Sequence, residues 1–126
     1  MPKKESILIT GGAGNIGSSL VRALHLLDDY QLTVVDNLST GDLSKIDELQ
    51  EYINFYDCDV NNSKDMEKVF KENNFTYVFH FAAVVGVKRT LQKPVNVLKD
   101  INGFFNIFDL SVKNKIKRIF YASSSE

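Results

Sequence analysis

A short apolar run near the start of the chain ends in three evenly spaced glycines, and this feature constrains the fold most. Residues 7–9 are Ile, Leu and Ile, and Gly11, Gly14 and Gly17 follow in a G-x-x-G-x-x-G spacing. The pattern predicts a buried parallel strand, a tight turn and an amphipathic helix. The helix is indicated by apolar residues at helical spacing, namely Ile16, Leu20, Ala23, Leu24 and Leu27.

Each glycine has a physical reason to stand where it does. Gly11 permits a turn with positive φ at the end of the strand, and Gly17 permits close packing of the new helix. Gly14, followed by Asn15 and Ile16, leaves backbone amides at the positive end of that helix open to phosphate groups. We therefore expect these residues to bind the diphosphate of a dinucleotide. An ordinary strand-to-helix turn without a ligand is the alternative, since loops also collect glycine for tight turns.

An acidic residue at the end of the second predicted strand completes the dinucleotide-binding pattern. Asp36 follows the strand-like residues 32–35, at about the distance from the glycines that a ribose-binding acid occupies. Its carboxylate would accept hydrogen bonds from the adenosine ribose and repel a 2′-phosphate, so NAD is the expected cofactor rather than NADP. Asn37 and Ser39 belong to the same candidate site. The alternative is that Asp36 only caps the loop at residues 37–41.

Length and charge limit the classes of function that the chain can serve. Its 126 residues are enough for one domain that buries roughly two thirds of its unfolded surface. With 15 basic and 16 acidic residues the net charge is -1, so neither nucleic acid nor an anionic membrane is an expected partner. No apolar stretch of the sequence approaches the length of a membrane span, and the basic start at residues 1–4 precedes too few apolar residues for a signal peptide.

Cysteine usage indicates a reducing compartment and no metal chemistry. Cys58 is the single cysteine of the sequence, so no disulfide can form within the chain. His25 and His80 lie too far apart in the sequence to suggest a zinc site with it, and we expect no metal. A cytoplasmic protein is the resulting prediction.

Strand-like and helix-like segments alternate along the whole chain. Such alternation predicts an α/β fold of the Rossmann type, with ligand binding at the carboxyl ends of the strands. The expected architecture is a doubly wound parallel sheet in strand order 3-2-1-4-5 with right-handed crossovers. After the first two strands come a short helix at 43–52, a strand at 53–56, a helix around 66–70, a strand at 77–81, a long helix at 94–113 and a strand at 118–122.

The long helix at 94–113 has two apolar sides. Gly103, Ile107 and Leu110 form the smaller set, which we expect at the surface. The larger set predicts the side that packs against the sheet. It consists of Val97, Leu98, Ile101, Phe104, Phe105, Phe108 and Val112.

Four stretches of the sequence, taken together in order and spacing, resemble one protein family. They are residues 10–17, 35–39, 80–83 and 121–126, which read TGGAGNIG, VDNLS, HFAA and YASSSE. In this combination they are similar to the amino-terminal part of extended short-chain dehydrogenases/reductases, specifically the NAD-dependent epimerase/dehydratase family that acts on nucleotide sugars. The resemblance implies an NAD-binding domain over residues 1–126, truncated before the later strands and the substrate domain of the family.

The resemblance also implies roles for single residues. Asp59 and Val60 would flank the adenine, with Asp59 facing its exocyclic amine. Ser124 matches the first serine of the family motif S-S-E-x-Y-G and would hydrogen-bond the sugar oxygen that is oxidised. A serine-rich strand exit that bonds its own backbone is the alternative for Ser124. The diphosphate and the nicotinamide ribose would be lined by Phe81, Ala82 and Ala83.

For function, the resemblance implies an epimerase that transiently oxidises the C4 hydroxyl of a nucleotide diphosphate sugar with bound NAD. A dehydratase or a uronate decarboxylase of the same family is one alternative, and a non-catalytic dinucleotide-binding module is another. The family's Tyr-x-x-x-Lys pair does not occur in the sequence, so we expect the chain alone to be inactive. Family members dimerise through the long helix, so a homodimer through residues 94–113 is also expected.

Overall fold

The computed structural model describes residues 3–83, 91–92 and 94–122, and five parallel strands form its centre. Their order in the sheet is β3-β2-β1-β4-β5, and every neighbouring pair is parallel. The predicted Rossmann-type topology is therefore confirmed, and the direction in which the strands are added reverses at β1. The strands are β1 (Glu5–Thr10), β2 (Tyr30–Asp36), β3 (Ile53–Asp57), β4 (Tyr77–His80) and β5 (Arg118–Tyr121).

Helical segments connect the strands. They are α1 (Asn15–Leu27), a 3₁₀ segment (Leu43–Tyr52), α2 (Ser63–Glu72) and α3 (Pro94–Lys113). The helix predicted at 43–52 is found as short 3₁₀ turns, because the backbone of Ile46 is not helical and interrupts them. Asn62 starts α2 by accepting a hydrogen bond from the amide of Asp65. Within the described ranges, no helix has the length and apolar composition that crossing a membrane requires.

Two apolar layers flank the sheet. Side chains at successive positions of a strand point to opposite faces, so Ile7 and Ile9 enter one layer and Leu8 enters the other. The first layer is closed by α1 and the 3₁₀ segment, and the second by α2 and α3. Because β1 is covered on both faces and paired on both edges, residues 7–10 are all buried.

The orientation of α3 differs from the prediction. Its buried side carries the smaller apolar set: Ile107 and Gly103 are buried, and Leu110 packs against the second layer. Several members of the larger set, which the sequence assigns to the side facing the sheet, are instead exposed to solvent and form a stripe on the outer side of the helix. The predicted core face of this helix is therefore wrong. The exposed stripe consists of Leu98, Ile101, Phe105 and Val112.

Close packing against the connection between β3 and α2 explains this orientation. A side chain at Gly103 would place its Cβ 2.7 Å from Val60 and 2.8 Å from the side-chain oxygen of Asn61. The Gly103 amide donates to that Asn61 oxygen at 2.7 Å. Asn106 also donates to the carbonyl of Val60 at 2.9 Å. The helix thus approaches the connection between β3 and α2 at Gly103, its smallest residue. A prediction based on the number of large apolar side chains does not detect such a contact, because a glycine adds nothing to that number.

The two sides of α3 give a direct test of its orientation. Ile107→Ala should lower the free energy of unfolding by about 2–4 kcal/mol, because it removes buried methyl groups and leaves a cavity. Phe105→Ala removes a larger side chain that is 66% exposed, and should change the free energy of unfolding by less than about 0.5 kcal/mol. Urea denaturation at low protein concentration measures both effects. The opposite ranking of the two variants would contradict the observed packing.

Candidate functional site

A cavity of about 780 Å³ opens at the carboxyl ends of the central strands, a volume within the range of small-molecule sites. It lies where the strand order reverses, which is where ligands bind in open α/β sheets. Ser124, the predicted catalytic residue, lies outside the described residues. The predicted cofactor-binding residues all line the cavity, although their role in binding stays a prediction. They are Gly11, Gly14, Asn15, Ile16, Gly17, Asp36, Asn37, Ser39, Asp59, Val60, Phe81, Ala82 and Ala83.

The glycine turn holds the start of α1 directly over the end of β1. Gly11 has the positive φ that the sequence predicts, 73°, and its amide donates to the carbonyl of Val35 in β2 at 2.7 Å. A side chain at Gly17 would overlap the carbonyl of Gly11, so glycine is needed for this close approach. At Gly14, which precedes α1, an added Cβ would meet only the Gly11 oxygen at 3.3 Å among the described atoms. Residues 14–17 line the cavity, and a helix leaves its first amides without partners within the helix, so this end of α1 can offer N–H groups to a ligand.

Asp36 holds two loops together at the edge of the cavity. Its carboxylate accepts from the amide of Ala13 at 3.0 Å and from the amide of Leu38 at 2.8 Å, and the residue is 7% exposed. A Cβ at Gly41 would come within 2.8 Å of the same carboxylate, so the loop closes tightly over it. The capping role considered above is therefore present. It does not use up the acceptor capacity of the carboxylate, which has about four acceptor positions, because these bonds use two.

The β3 exit is fixed by its own turn and by α3. Asp59 accepts a hydrogen bond from the amide of Asn61 at 2.9 Å, and the Asn61 side chain accepts from the α3 backbone. Val60 is buried against α3 and also lines the cavity. The two residues that the resemblance assigns to the adenine therefore lie in a hydrogen-bonded part of the wall, beyond the end of β3.

A buried hydrogen-bond network fixes the β4 exit. The Thr10 hydroxyl accepts from the amides of Phe81 at 3.0 Å and Ala82 at 3.1 Å. It also lies 2.7 Å from Nδ1 of His80, and because both amides donate to the hydroxyl, its own proton goes to that nitrogen. Nδ1 is therefore unprotonated, and the neutral ring carries its proton on Nε2. Burial lowers the pKa of His80 to about 4, in agreement with a neutral ring.

Sequence reasoning misses several residues of the cavity wall. Lys45 comes from the 3₁₀ segment, and its ammonium donates to Asn15 Oδ1 at 2.7 Å, at the start of α1. Arg22 of α1 binds the Lys45 carbonyl and pairs with Glu48, which anchors the segment beside the glycine turn. No motif marks a lysine in a polar connection, so only the packing reveals it. The wall also includes His80, Lys99, Asp100, Phe104 and Tyr121.

These features define the class of the protein. A doubly wound parallel sheet, a glycine turn that opens a helix over the central strand, and an acid at the end of the next strand characterise Rossmann-type domains. The family follows from the sequence. Over residues 7–126 the chain matches the NAD dependent epimerase/dehydratase family, and it belongs to that family.

Individual relatives narrow the comparison. The chain is 36% identical over 126 residues to the putative UDP-arabinose 4-epimerase 4 of Arabidopsis thaliana, covering 94% of this chain and 28% of the relative. It is 34% identical over 124 residues to the UDP-N-acetyl-alpha-D-glucosaminuronate decarboxylase of Bacillus cytotoxicus, a match that covers 98% of this chain and 37% of that relative. The crystal structure of the Thermus thermophilus UDP-glucose 4-epimerase complex with NAD superposes with a TM-score of 0.86 at 30% identity, covering 94% of this chain and 37% of that one. The chain thus spans about a third of the length of these proteins.

The neutral state of buried His80 predicts a specific loss of stability in mild acid. The unfolded chain takes up a proton on this ring at about pH 6.5, whereas the folded protein resists it until about pH 4. Between these values the unfolded state binds more protons, so the free energy of unfolding should fall by about 2 kcal/mol from about pH 7 to about pH 5. Urea denaturation at both pH values measures this fall.

His80→Gln should remove most of that pH dependence, because the variant has no ring to protonate. His25→Gln, which changes the half-buried histidine of α1, is the matched control, and this variant should retain the pH dependence of the unmodified protein. An equal fall in the unmodified protein and in His80→Gln would show that other groups cause the acid sensitivity.

Proposed function

We propose that residues 1–126 form the NAD-binding domain of an enzyme that epimerises a nucleotide diphosphate sugar by transient oxidation at its C4 hydroxyl. The observation that carries the proposal is the meeting, on one cavity wall, of the open helix start at Gly14 and the carboxylate of Asp36. The relatives named as UDP-sugar 4-epimerases supply the reaction class. Because the chain spans about a third of their length, we assign cofactor binding to this chain and the reaction to the full family fold.

The residues present fit a dinucleotide. The amides at the start of α1 would hold the diphosphate, because a helix start offers unpaired N–H groups and a positive end. The adenosine would extend toward β2 and β3, where Asp36 would accept from its ribose and Asp59 and Val60 would flank its base. The other half of the molecule would then extend over the β4 exit, along residues 81–83. Lys45 adds a cation beside the helix start.

The charge of Asp36 favours NAD over NADP. A 2′-phosphate at about 5 Å from this carboxylate would be repelled by roughly 3 kcal/mol per unit charge at an effective dielectric near 20. Such a repulsion corresponds to about two decades in affinity. Asn37 and Ser39, which follow on the same wall, are uncharged and offer a 2′-phosphate no compensating cation.

The chemistry is divided between this chain and the rest of the family fold. When bound, NAD supplies an acceptor for the hydride of the sugar C4 and a donor for its return. Ser124 would hydrogen-bond the oxygen that is oxidised. The sequence has no Tyr-x-x-x-Lys pair to take the hydroxyl proton, so the proposal gives this chain by itself cofactor binding without turnover.

A uronate decarboxylase of the same family is the second candidate function. The decarboxylase of Bacillus cytotoxicus is nearly as similar to the chain as the arabinose epimerase is. Both reactions would use the same cofactor-binding half, which is the part that this chain contains. The choice between them would therefore depend on groups that contact the sugar.

A cytoplasmic location is part of the proposal. Cys58 has no second cysteine in the sequence with which to pair. Burial raises the pKa of its thiol to about 11, and the nearby carboxylates of Asp65, Asp57 and Asp59 add to the effect. Such a thiol is a poor nucleophile at neutral pH, so it suits a structural role in a reducing compartment.

A homodimer through α3 is also proposed, and the exposed stripe is the surface that we assign to it. Of the small set that was expected at the surface, Gly103 and Ile107 are buried and Leu110 packs against the second layer, so this side faces the core of the protein. The exposed stripe lies on the outer side of the helix and presents four large apolar side chains. A patch of this kind on a helix face favours burial against a partner.

Sedimentation velocity tests the dimer. The unmodified protein should associate as its concentration rises, and Phe105→Asp should shift it to the monomer by placing a charge in the stripe. Leu26→Asp is the matched control, because Leu26 is 82% exposed on α1 and lies outside the stripe. A protein that stays monomeric at high concentration, or that responds equally to both substitutions, would contradict the proposed interface.

Calorimetric titration of NAD and NADP tests cofactor binding. The unmodified protein should bind NAD about a hundredfold more tightly than NADP, and Asp36→Ala should narrow this gap by removing the charge. Asp47→Ala is the control, because it removes an exposed aspartate of the 3₁₀ segment that does not line the cavity. Thermal denaturation checks that Asp36→Ala is folded, since it also frees two backbone amides. Equal affinity of the unmodified protein for NAD and NADP would refute the cofactor assignment.

A further inference from the structure

The Thr10 hydroxyl makes contacts that the binding scheme above does not use. It is the last residue of β1, it is buried, and its side chain bonds to three groups of the neighbouring strand end. His80 takes the hydroxyl proton, which directs the oxygen lone pairs toward the amides of Phe81 and Ala82. The pair therefore acts as one unit that sets where the β4 exit leaves the sheet.

The β4 exit held by this unit also touches the glycine turn. A Cβ at Gly11 would lie 2.8 Å from the amide nitrogen of Ala82 and 2.9 Å from the carbonyl carbon of Phe81. Thr10 immediately precedes Gly11, so one short segment carries both the turn under the diphosphate site and the bonds to the β4 exit. The spacing between these two parts of the wall is thus set locally, by the end of β1.

The sheet order gives this spacing a consequence for ligand binding. With the diphosphate over β1 and the adenosine toward β2, the remaining half of a dinucleotide must cross to the β4 side. We infer that Thr10, with His80 as its hydrogen-bond acceptor, is a positioning residue for the nicotinamide half of NAD. The inference rests on the proposed function, and it assigns Thr10 an effect on that half of the molecule alone.

The chain contains a matched control for this residue. Thr33 of β2 is as buried as Thr10, but its hydroxyl has no hydrogen-bond partner within the described part of the chain. Thr33→Val therefore removes a buried hydroxyl from the same sheet without breaking a bond. Thr10→Val makes the same chemical change and leaves the Ala82 amide without its acceptor.

The experiment compares NAD with ADP, which has the adenosine and diphosphate but lacks the nicotinamide half, by calorimetric titration. Thr10→Val should weaken NAD binding about five- to tenfold and change ADP binding less than about twofold. Thr10→Ser retains the hydroxyl and should restore NAD binding to within about twofold of the unmodified protein. Thr33→Val should leave the binding of both ligands unchanged.

A second variant keeps the inference open to refutation if Thr10→Val does not fold. His80→Phe keeps an aromatic ring beside Tyr121 but removes the acceptor of the hydroxyl proton, and should also weaken NAD binding selectively. Equal weakening of NAD and ADP, or unchanged NAD affinity in both variants, overturns the inference. Failure of the unmodified protein to bind either NAD or ADP is a separate result, which overturns the proposed function itself.

Discussion

The structure of the cavity depends on how closely α1 begins over the end of β1. Gly17 lies against the carbonyl of Gly11 at a distance that no side chain would allow. This contact fixes Ala13 inside the turn. The segment at residues 36–42 then binds Ala13 through both the amide and the carbonyl of Ala13. Asp36 accepts from the Ala13 amide, and the amide of Asp42 donates to the Ala13 carbonyl at 3.0 Å. Two connections that are distant in sequence thus become one continuous wall, because Gly17 in the first turn of α1 has no side chain to keep the helix away from the turn.

The structural role of Asp36 is compatible with the ligand-binding role that we propose for it. The carboxylate is held in place by amides of Ala13 and Leu38, which leaves its orientation little freedom and its charge unneutralised by any described cation contact. A charge fixed in this way discriminates between ligands without any reorganisation of the protein when they bind. In the proposed binding mode, the same bonds that make it a loop cap would prepare it to select a ribose over a phosphorylated ribose.

The features predictable from sequence are those that local chemistry dictates. The strand order follows from alternation of segments, and the positive φ of Gly11 follows from a glycine at a strand end. The packing side of α3 was not predictable in this way. Gly103 faces the core because it makes a close contact with a loop that is distant in sequence, and Phe105 is therefore left exposed. Lys45 likewise reaches the cavity only because its segment packs on α1. Contacts between segments, and not the segments themselves, are what a single sequence leaves undetermined.

The buried hydroxyls indicate where the fold requires precise geometry. Thr33 in the middle of β2 and Ser111 on the buried side of α3 have no partner within the described residues, and each such group costs about 1–3 kcal/mol. Thr10, at the end of β1, has its hydroxyl bonded to three groups of the β4 exit. Unpaired hydroxyls are thus tolerated where only packing is at stake. At the cavity the pairing crosses between strand ends and fixes them relative to one another, which a wall built from separate segments needs if it is to present one surface to a ligand.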